Sequence, residues 1–156
     1  MVRWLDAEEQ SAWLRLAGVM LKLAPALDSQ LQRDSELTHF GYLCLAMLSE
    51  SEDRMLPMSR LAAITNSSLS RLSHVVTKLE SRGLVRRTPS PESRRVTLVN
   101  LTEEGWKVLE AAAPGHVETV RELIFDGLSP VDVAALERVA GHIVERIDAS
   151  SLDATC

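Results

Sequence analysis

The sequence predicts a mainly α-helical protein with one small β-hairpin. Over residues 7–33, and again after Ser129-Pro130, apolar residues recur every three or four positions, which is the period of an amphipathic helix. Residues 84–88 and 95–101 instead carry strand-forming leucine, valine and threonine, and they flank a turn-forming segment with two prolines. The predicted fold class is therefore mainly α with a small β-wing formed by this hairpin.

Two helices are predicted before residue 50. The first covers residues 7–33, and Pro25 should kink or break it because proline cannot donate to the helical hydrogen-bond ladder. Thr38 is the expected N-cap of the second helix, over residues 39–49. This helix is almost uncharged and is predicted to be buried, so Cys44 within it is expected to be a packing residue.

A short helix, a turn and a longer helix are predicted over residues 59–82. Asn66-Ser67 make the turn, Ser68 caps the longer helix, and Gly83 supplies a glycine just after its end. One face of the longer helix is apolar, as a core requires, and consists of Leu69, Leu72, Val76 and Leu79. The opposite face is small, polar and basic, as expected for a helix that enters a nucleic-acid groove.

The C-terminal third is predicted to be helical with two interruptions. Thr102 caps a long helix, Pro114-Gly115 should interrupt it, and Ser129-Pro130 starts the final helix, because proline is favoured at the first helical position. Residues 149–156 are expected to fray. The end helices hold more apolar surface than a small central lobe can cover, which predicts an interface between two copies of the chain.

Positive charge is concentrated in residues 59–102. This segment has eight arginine and lysine side chains against two glutamates, a net charge of +6, in a chain of net charge −5, so the remaining residues sum to −11. Such a cationic segment in an otherwise acidic chain is the electrostatic signature of a polyanion partner. Double-stranded DNA is the first candidate, because the cations lie on a helix-turn-helix and its hairpin.

The candidate DNA-binding residues lie on the turn, the polar helix face and the hairpin. They are Ser67, Ser68, Ser70, Arg71, Ser73, His74, Thr77, Lys78, Arg86, Arg87, Arg94 and Arg95. Arg71 is the expected bidentate partner of a guanine, and the hydroxyls are expected on phosphates or base edges. Hairpin residues alternate faces, so Arg94 is assigned to DNA and Arg95 to a structural ion pair with Glu92. At least one of the Arg86 and Arg87 pair should serve the DNA backbone.

The alternative for this helix face is an ordinary solvated surface, and His74 can equally be a simple polar surface residue. If His74 lies beside phosphates, its protonated form is favoured, and DNA binding should weaken as the pH rises from about 6 to 8.

Other function classes find less support. No apolar stretch reaches the length of a membrane span, and acidic residues near the N-terminus do not fit a signal peptide, so a cytoplasmic protein without a membrane partner is predicted. The four histidines and two cysteines lack metal-ligand spacing, and neither a metal nor another cofactor is predicted. Cys156 is terminal, and its oxidation is expected to be incidental. No phosphate loop, nucleophile elbow or acid pair indicates an enzyme, so a protein-binding module is the stronger rival to a DNA-binding one.

The motifs of the central segment resemble those of the MarR family, the multiple-antibiotic-resistance regulators. The resemblance is carried by Leu61-Ala62, by LESRGLV at residues 79–85, by LTEEG at residues 101–105, and by a wing pattern that matches at Arg95, Val99, Leu101 and Thr102. Two positions depart from the family pattern. Ser93 stands where the wing aspartate is expected, and His74 stands where many relatives have arginine.

The resemblance implies one MarR-like domain over residues 1–156, with a winged helix-turn-helix lobe at 37–102 and dimerisation helices at 1–36 and 103–148. It further implies a homodimer on a palindromic operator, more often a repressor, with release by an effector. A pocket for a small aromatic or lipophilic effector would be lined by Trp13, Leu16, Met20, His39 and Tyr42. The alternative is that these five are ordinary core or interface residues.

Overall fold

The computed structural model describes residues 1–153, so Cys156 lies outside the described residues. This part of the chain is mostly helical with one three-stranded antiparallel sheet, which confirms the predicted fold class. It divides into two compact units, residues 1–117 and a second unit that begins at Glu118. None of the helices within residues 1–153 combines the length and the apolar character that a bilayer-spanning segment requires.

The first helix, α1 (Ala7–Ser35), begins at a reciprocal cap. Asp6 Oδ1 accepts the Glu9 backbone N–H at 2.8 Å, and Glu9 Oε2 accepts the Asp6 backbone N–H at 3.0 Å. Pro25 lies inside α1 without ending it, so the helix is continuous through this position. Leu31, fully buried beyond the proline, holds the end of the helix in the core and offsets the hydrogen bond that proline removes.

The second helix, α2 (His39–Glu50), starts at the predicted N-cap. Thr38 Oγ1 accepts the Gly41 backbone N–H at 2.9 Å. Cys44 and Leu48 have no exposed surface, so the predicted burial of this helix is confirmed.

A small sheet follows a single 3-10 turn at Glu52–Arg54. Its strands are β1 (Met55–Pro57), β2 (Val85–Pro89) and β3 (Thr97–Leu101), in the order β1-β3-β2. Val85 lies opposite Leu101 and Pro89 opposite Thr97, so β2 and β3 form the predicted hairpin. The sequence pattern predicts no strand at β1, because three residues are too few to show alternation.

The helix-turn-helix consists of α3 (Met58–Ile64) and α4 (Leu69–Ser81). Asn66 in the turn has a φ of 49°, and Gly83, just after α4, has a φ of 73°. Three of the four residues predicted to face the core from α4 are buried, namely Leu72, Val76 and Leu79. The prediction is wrong for Leu69, which is 54% exposed, because this first residue of the helix directs its side chain back past the helix end.

The first helical turn of α5 (Glu103–Val120) approaches the sheet so closely that only glycine fits at position 105. A Cβ there would lie 2.0 Å from the carbonyl oxygen of Leu84. Thr102 fixes this approach, since its Oγ1 donates to the Gly83 carbonyl at 2.6 Å and accepts the Gly105 N–H at 3.0 Å. The LTEEG motif is therefore a packing motif in this chain.

Pro114-Gly115 lies within α5, so the predicted interruption of this helix is wrong. Ala112 is buried before the proline, and the His116 ring contacts the Tyr42 ring after it. Contacts on both sides therefore keep the segment helical despite the missing proline N–H.

The second unit contains a π-helical turn (Arg121–Phe125) and the helix α6 (Pro130–Asp153). Ser129 starts α6 as predicted, since its Oγ accepts the Asp132 N–H at 3.3 Å and Asp132 Oδ2 accepts the Ser129 N–H at 3.0 Å. The chain remains helical over 149–153, so the predicted fraying is wrong for these residues. Ser150 contributes there by donating to the Ile147 carbonyl at 2.8 Å. Residues 154–156 lie outside the described part.

Candidate nucleic-acid interface

The helix α4 separates an apolar face from a polar, cationic one. Its buried face contributes to a core that also contains α2, α3 and the sheet. The exposed residues of its other face are Ser70, Arg71, His74, Thr77 and Lys78, while Ser73 is half-buried. The buried face thus fixes the axis of α4 and leaves the polar face open to a ligand.

Ser68 is used at the start of α4, as predicted. Its Oγ accepts the Arg71 backbone N–H at 3.2 Å, which makes it the N-cap. The neighbouring Ser67 Oγ lies 3.3 Å from the Ser68 carbonyl oxygen. Both hydroxyls therefore shape the turn in addition to any contact with a ligand.

The guanidinium of Arg71 lies over an aromatic ring that sequence patterning predicts only as a core residue. Its guanidinium carbon lies 4.6 Å from the ring centroid of Phe40 in α2. The two residues are far apart in the sequence, so no local spacing signals this contact.

Arg87, in β2, is bonded to the end of α4. Its backbone N–H and its guanidinium both donate to Glu80, at distances of 2.8–2.9 Å, and Nη2 also reaches Thr77 Oγ1 at 3.1 Å. Thr77 Oγ1 in turn donates to the Ser73 carbonyl at 2.9 Å. The Arg87 backbone N–H, and after it the guanidinium, hold the pKa of Glu80 below its usual range. The polar groups of the Arg87 and Thr77 side chains thus already form hydrogen bonds within the chain.

The remaining wing arginines are exposed. Among the ion pairs formed within residues 1–153, none involves Arg86, Arg94 or Arg95, so the expected pair of Arg95 with Glu92 does not form. Ser93, at the family's aspartate position, accepts the Arg95 backbone N–H at 3.4 Å, which is a weak bond. Arg95 also lines a shallow hollow of about 340 Å³ between α4 and the wing, together with Ser73 and Arg87.

Of the five candidate effector-pocket residues, His39 and Tyr42 lie together, whereas Trp13 lies far from them along α1. His39 and Tyr42 are half-buried in α2 and meet His116 of α5, at ring centroid distances of 5.6 and 4.3 Å. Leu16, Met20 and Trp13 are 38–53% exposed on α1. Asp28 in α1 accepts the His39 backbone N–H, and at 1.5 Å per residue Trp13 lies roughly 22 Å along the helix from Asp28.

The sequence gives no signal for His116, which follows the predicted helix break. Among the residues that the structure describes, its buried Nδ1 has no hydrogen-bond partner, and the same holds for Gln30 Oε1 in α1. Burial lowers the pKa of His116, and the nearby His39 adds to this effect. Burial also lowers the pKa of His39, although Asp28 opposes the change, and it raises the pKa of Tyr42.

The Cys44 thiol and the possible metal ligands can be assessed within the described residues. Burial raises the pKa of the Cys44 thiol to about 12, which the Arg71 charge opposes only in part, so the reactive thiolate is strongly disfavoured. Within the described part of the chain, no three histidine, cysteine or acidic side chains are placed to share a metal ion.

A helix-turn-helix followed by a β-hairpin that packs beside its second helix defines the class of winged helix-turn-helix proteins. The MarR family model matches residues 37–97. The chain is similar to Sco3205, a MarR family transcriptional regulator from Streptomyces coelicolor whose structure is a complex with DNA. The two are 41% identical, with a TM-score of 0.91 over 93% of this chain and 91% of that one.

Two further relatives agree. AbsC, a MarR family transcriptional regulator from Streptomyces coelicolor, is 38% identical with a TM-score of 0.90, over 95% of this chain and 99% of that one. The transcriptional repressor MprA of Escherichia coli (strain K12) is 26% identical over 112 residues, which are 72% of this chain and 63%, just under two thirds, of that protein. The chain belongs to the MarR family of transcriptional regulators, and this membership makes it a regulator rather than an enzyme.

Proposed function

We propose that this regulator binds a palindromic double-stranded DNA operator as a homodimer and represses transcription from it. The observation that carries the proposal is the exposed cationic face of α4, whose opposite face is buried and whose C-terminal end is bonded to the wing through Glu80 and Arg87. A recognition helix and a wing held in one fixed relation can engage a major groove and the adjacent backbone together.

The residues divide between contact and positioning. In this proposal residues 67–78 enter the major groove, where Arg71 reads a guanine and the serines bond phosphates or base edges. The unpaired wing cations Arg86, Arg94 and Arg95 approach the backbone and the minor groove. Ser68, Thr77 and Arg87 hold internal hydrogen bonds, so we assign them mainly to positioning the others.

The homodimer is supported by apolar surface that each unit leaves exposed. On α1 these side chains include Trp13, Leu16, Val19 and Met20. In the second unit they include Leu123, Leu136, Val139, Val144 and Ile147. Burying such surface stabilises an assembly by about 25 cal/mol per Å². A two-fold dimer would present two recognition helices roughly 34–36 Å apart, which matches a palindrome.

Repression and effector control form a separate part of the proposal. A relative is named a transcriptional repressor, and covering a promoter is the simplest outcome of operator binding. The half-buried His39–Tyr42–His116 cluster is where we place a small aromatic or lipophilic effector, with Leu16 and Met20 of α1 as further candidates. Trp13 lies roughly 22 Å along α1 from Asp28, so we leave it out of this site. An effector acts only through a difference in its affinity for two conformations. A cytoplasmic location, with access to the chromosome, belongs to the same proposal.

The proposal is tested by selecting bound fragments from random duplex DNA and measuring their affinity by fluorescence anisotropy. Affinity for the selected duplex should fall by orders of magnitude between about 50 and 200 mM salt, because several phosphate contacts release counterions. Arg138→Ala, which removes an exposed cation from α6, is the matched control and should bind as the wild type does. A protein-binding module, the rival function, would show no duplex affinity even at low salt.

The dimer has its own test. Analytical ultracentrifugation should give twice the monomer mass of 17.2 kDa. A protein that stays monomeric at micromolar concentration, or a selected sequence without two-fold symmetry, would contradict the palindromic part of the proposal.

A further inference from the structure

We propose that Phe40 is a positioning residue for DNA recognition, because its ring holds the guanidinium of Arg71 in one plane and leaves the hydrogen-bond donors of that group free. The inference rests on the proposed function and adds α2 to the elements that determine sequence preference. It predicts that an aromatic side chain outside the helix-turn-helix changes how the protein reads DNA.

The geometry fixes the ring more firmly than the arginine. Phe40 is the second residue of α2, two positions after the N-cap Thr38, and it is half-buried against the hydrophobic core. Arg71 is exposed in the first turn of α4, where Ser68 holds its backbone N–H. With its guanidinium carbon 4.6 Å from the Phe40 centroid, Arg71 lies within the roughly 6 Å range of a cation–π contact. The core thus supplies a rigid platform for a flexible side chain.

The chemistry of a stacked guanidinium leaves it competent to bind. A stack covers the face of the planar group, whereas all five N–H donors point outward in its plane. Within residues 1–153, the Arg71 guanidinium forms neither an ion pair nor a hydrogen bond. Arg87 is the contrasting case, since Glu80 and Thr77 use its donors. Arg71 is therefore oriented without being neutralised.

Orientation of this kind should raise affinity for the correct base more than for DNA in general. A guanidinium already held in one plane loses less rotamer freedom when it forms two parallel hydrogen bonds to a guanine. A phosphate contact has looser geometric demands, so its affinity increases less when the guanidinium is oriented in advance. Loss of the ring should consequently reduce sequence preference together with affinity.

The test is a double-mutant cycle with Phe40→Leu, Arg71→Ala and the combined variant, measured on the selected duplex and on its single-base substitutions. With Arg71 present, Phe40→Leu should weaken binding by about two- to fivefold, the size of an exposed cation–π contact. It should also flatten preference at the base that Arg71 reads. In the Arg71→Ala background the same substitution should change nothing further. Phe40→Tyr, which keeps the ring, should retain the wild-type affinity and the wild-type base preference.

The outcomes separate this inference from the proposed function. A wild-type protein that binds no duplex overturns the proposed function. If the wild type binds, the positioning role is overturned by a Phe40→Leu variant that binds normally, or by equal losses with and without Arg71, which would indicate a packing role. Thermal melting establishes that each variant is folded. Phe40→Met, whose flexible unbranched side chain adapts to irregular core space, replaces Phe40→Leu in the cycle if the leucine variant does not fold.

Discussion

Arg87 donates three hydrogen bonds to Glu80. Its backbone N–H reaches Oε1 at 2.8 Å, while Nε and Nη2 reach Oε2 at 2.9 and 2.8 Å. The contact connects the last turn of α4 to the first strand of the wing. A carboxylate that binds both a backbone donor and a guanidinium fixes the position of β2 as well as the direction of its side chain. The Glu80–Arg87 contact therefore fixes the wing to α4 close to the proposed DNA surface.

We expect Glu80→Ala to lower the free energy of unfolding by about 1 kcal/mol in urea titrations. The value is at the low end for charge-assisted hydrogen bonds, because both side chains remain about a third exposed. The matched control is Glu92→Ala, which removes the same charge from an exposed wing residue that forms no ion pair within the described residues. Equal loss in the two variants would contradict a specific role for the Glu80 contact.

The Glu80 contribution should also depend on pH. The pKa of Glu80 is lower in the folded protein than the ordinary value of 4.5, so the folded state favours the ionised form. Its contribution is complete above that value and is lost as the pH falls through the folded pKa. The difference in unfolding free energy between wild type and Glu80→Ala should thus shrink on acidification below about pH 4.5. A difference that stays constant down to pH 3 would argue against the ion pair.

Gly105→Ala should destabilise the protein by about 3 kcal/mol or more, because the new Cβ would meet the Leu84 carbonyl oxygen at 2.0 Å and Leu101 Cδ1 at 2.8 Å. Gly141→Ala is the control, since a Cβ on this exposed residue of α6 meets nothing within 4 Å. The free energy of unfolding of Gly141→Ala should exceed that of the wild type by no more than about 1 kcal/mol. Similar urea midpoints for the two variants would refute the packing role of Gly105.

Local signals in the sequence predict the helix starts correctly. Thr38, Ser68 and Ser129 are N-caps whose partners lie three residues away, so the pattern contains the whole interaction. The proline positions are predicted less well. Pro25 and Pro114 each weaken a helix locally, but contacts with the rest of the unit decide whether the helix ends, and these contacts are not visible in a local window.

The contacts of the candidate site depend on tertiary structure in the same way. Arg71 and Phe40 are brought together by the packing of α4 on α2, and Arg87 meets Glu80 only when the wing folds back on α4. Charge counting therefore predicts the surface that we propose for DNA binding, yet it treats all its arginines alike. The structure separates Arg87, whose donors are used internally, from Arg94, whose side chain is exposed.

Arg71→Ala and Arg94→Ala should weaken DNA binding in different ways. Loss of Arg71 should cost about 1–3 kcal/mol on the selected duplex and flatten preference at one base pair. Loss of Arg94 should weaken binding nearly equally on all sequences and reduce the salt slope by about one. Anisotropy titrations on the selected duplex and on a scrambled one, at several salt concentrations, distinguish the two. A uniform loss for Arg71→Ala would reassign it to a phosphate contact.

Cys44 should behave as an inert thiol. It has no exposed surface, and burial raises its pKa to about 12. In a Cys156→Ser background, a thiol reagent should modify Cys44 only after unfolding in urea, and peroxide should leave DNA affinity unchanged. Cys44→Ser in the same background is the control for reagent uptake at other side chains. Modification of the native protein at the rate of an exposed thiol would show that Cys44 is accessible to oxidants.

The histidine pair at the packing of α2 and α5 should make the folded state sensitive to acid. The pKa values of His39 and His116 are both lowered mainly by burial, and the charge of His39 lowers the pKa of His116 further. Asp28 faces His39 from α1 and only partly offsets the effect. In the unfolded chain both histidines have ordinary pKa values near 6.5, so they bind protons at a higher pH than they do in the folded chain.

Both states are neutral at these positions above about pH 6.5, so the histidines cost nothing there. As the pH falls from 6.5 toward the lower folded pKa values, the unfolding free energy should decrease. His116→Gln removes one of the two titrating rings, and it should flatten this decrease when urea midpoints are compared at pH 7.5 and 5.5. The control is His142→Gln on α6, which should retain the wild-type slope because it leaves the pair intact. Identical slopes in both variants would show that the acid sensitivity arises elsewhere.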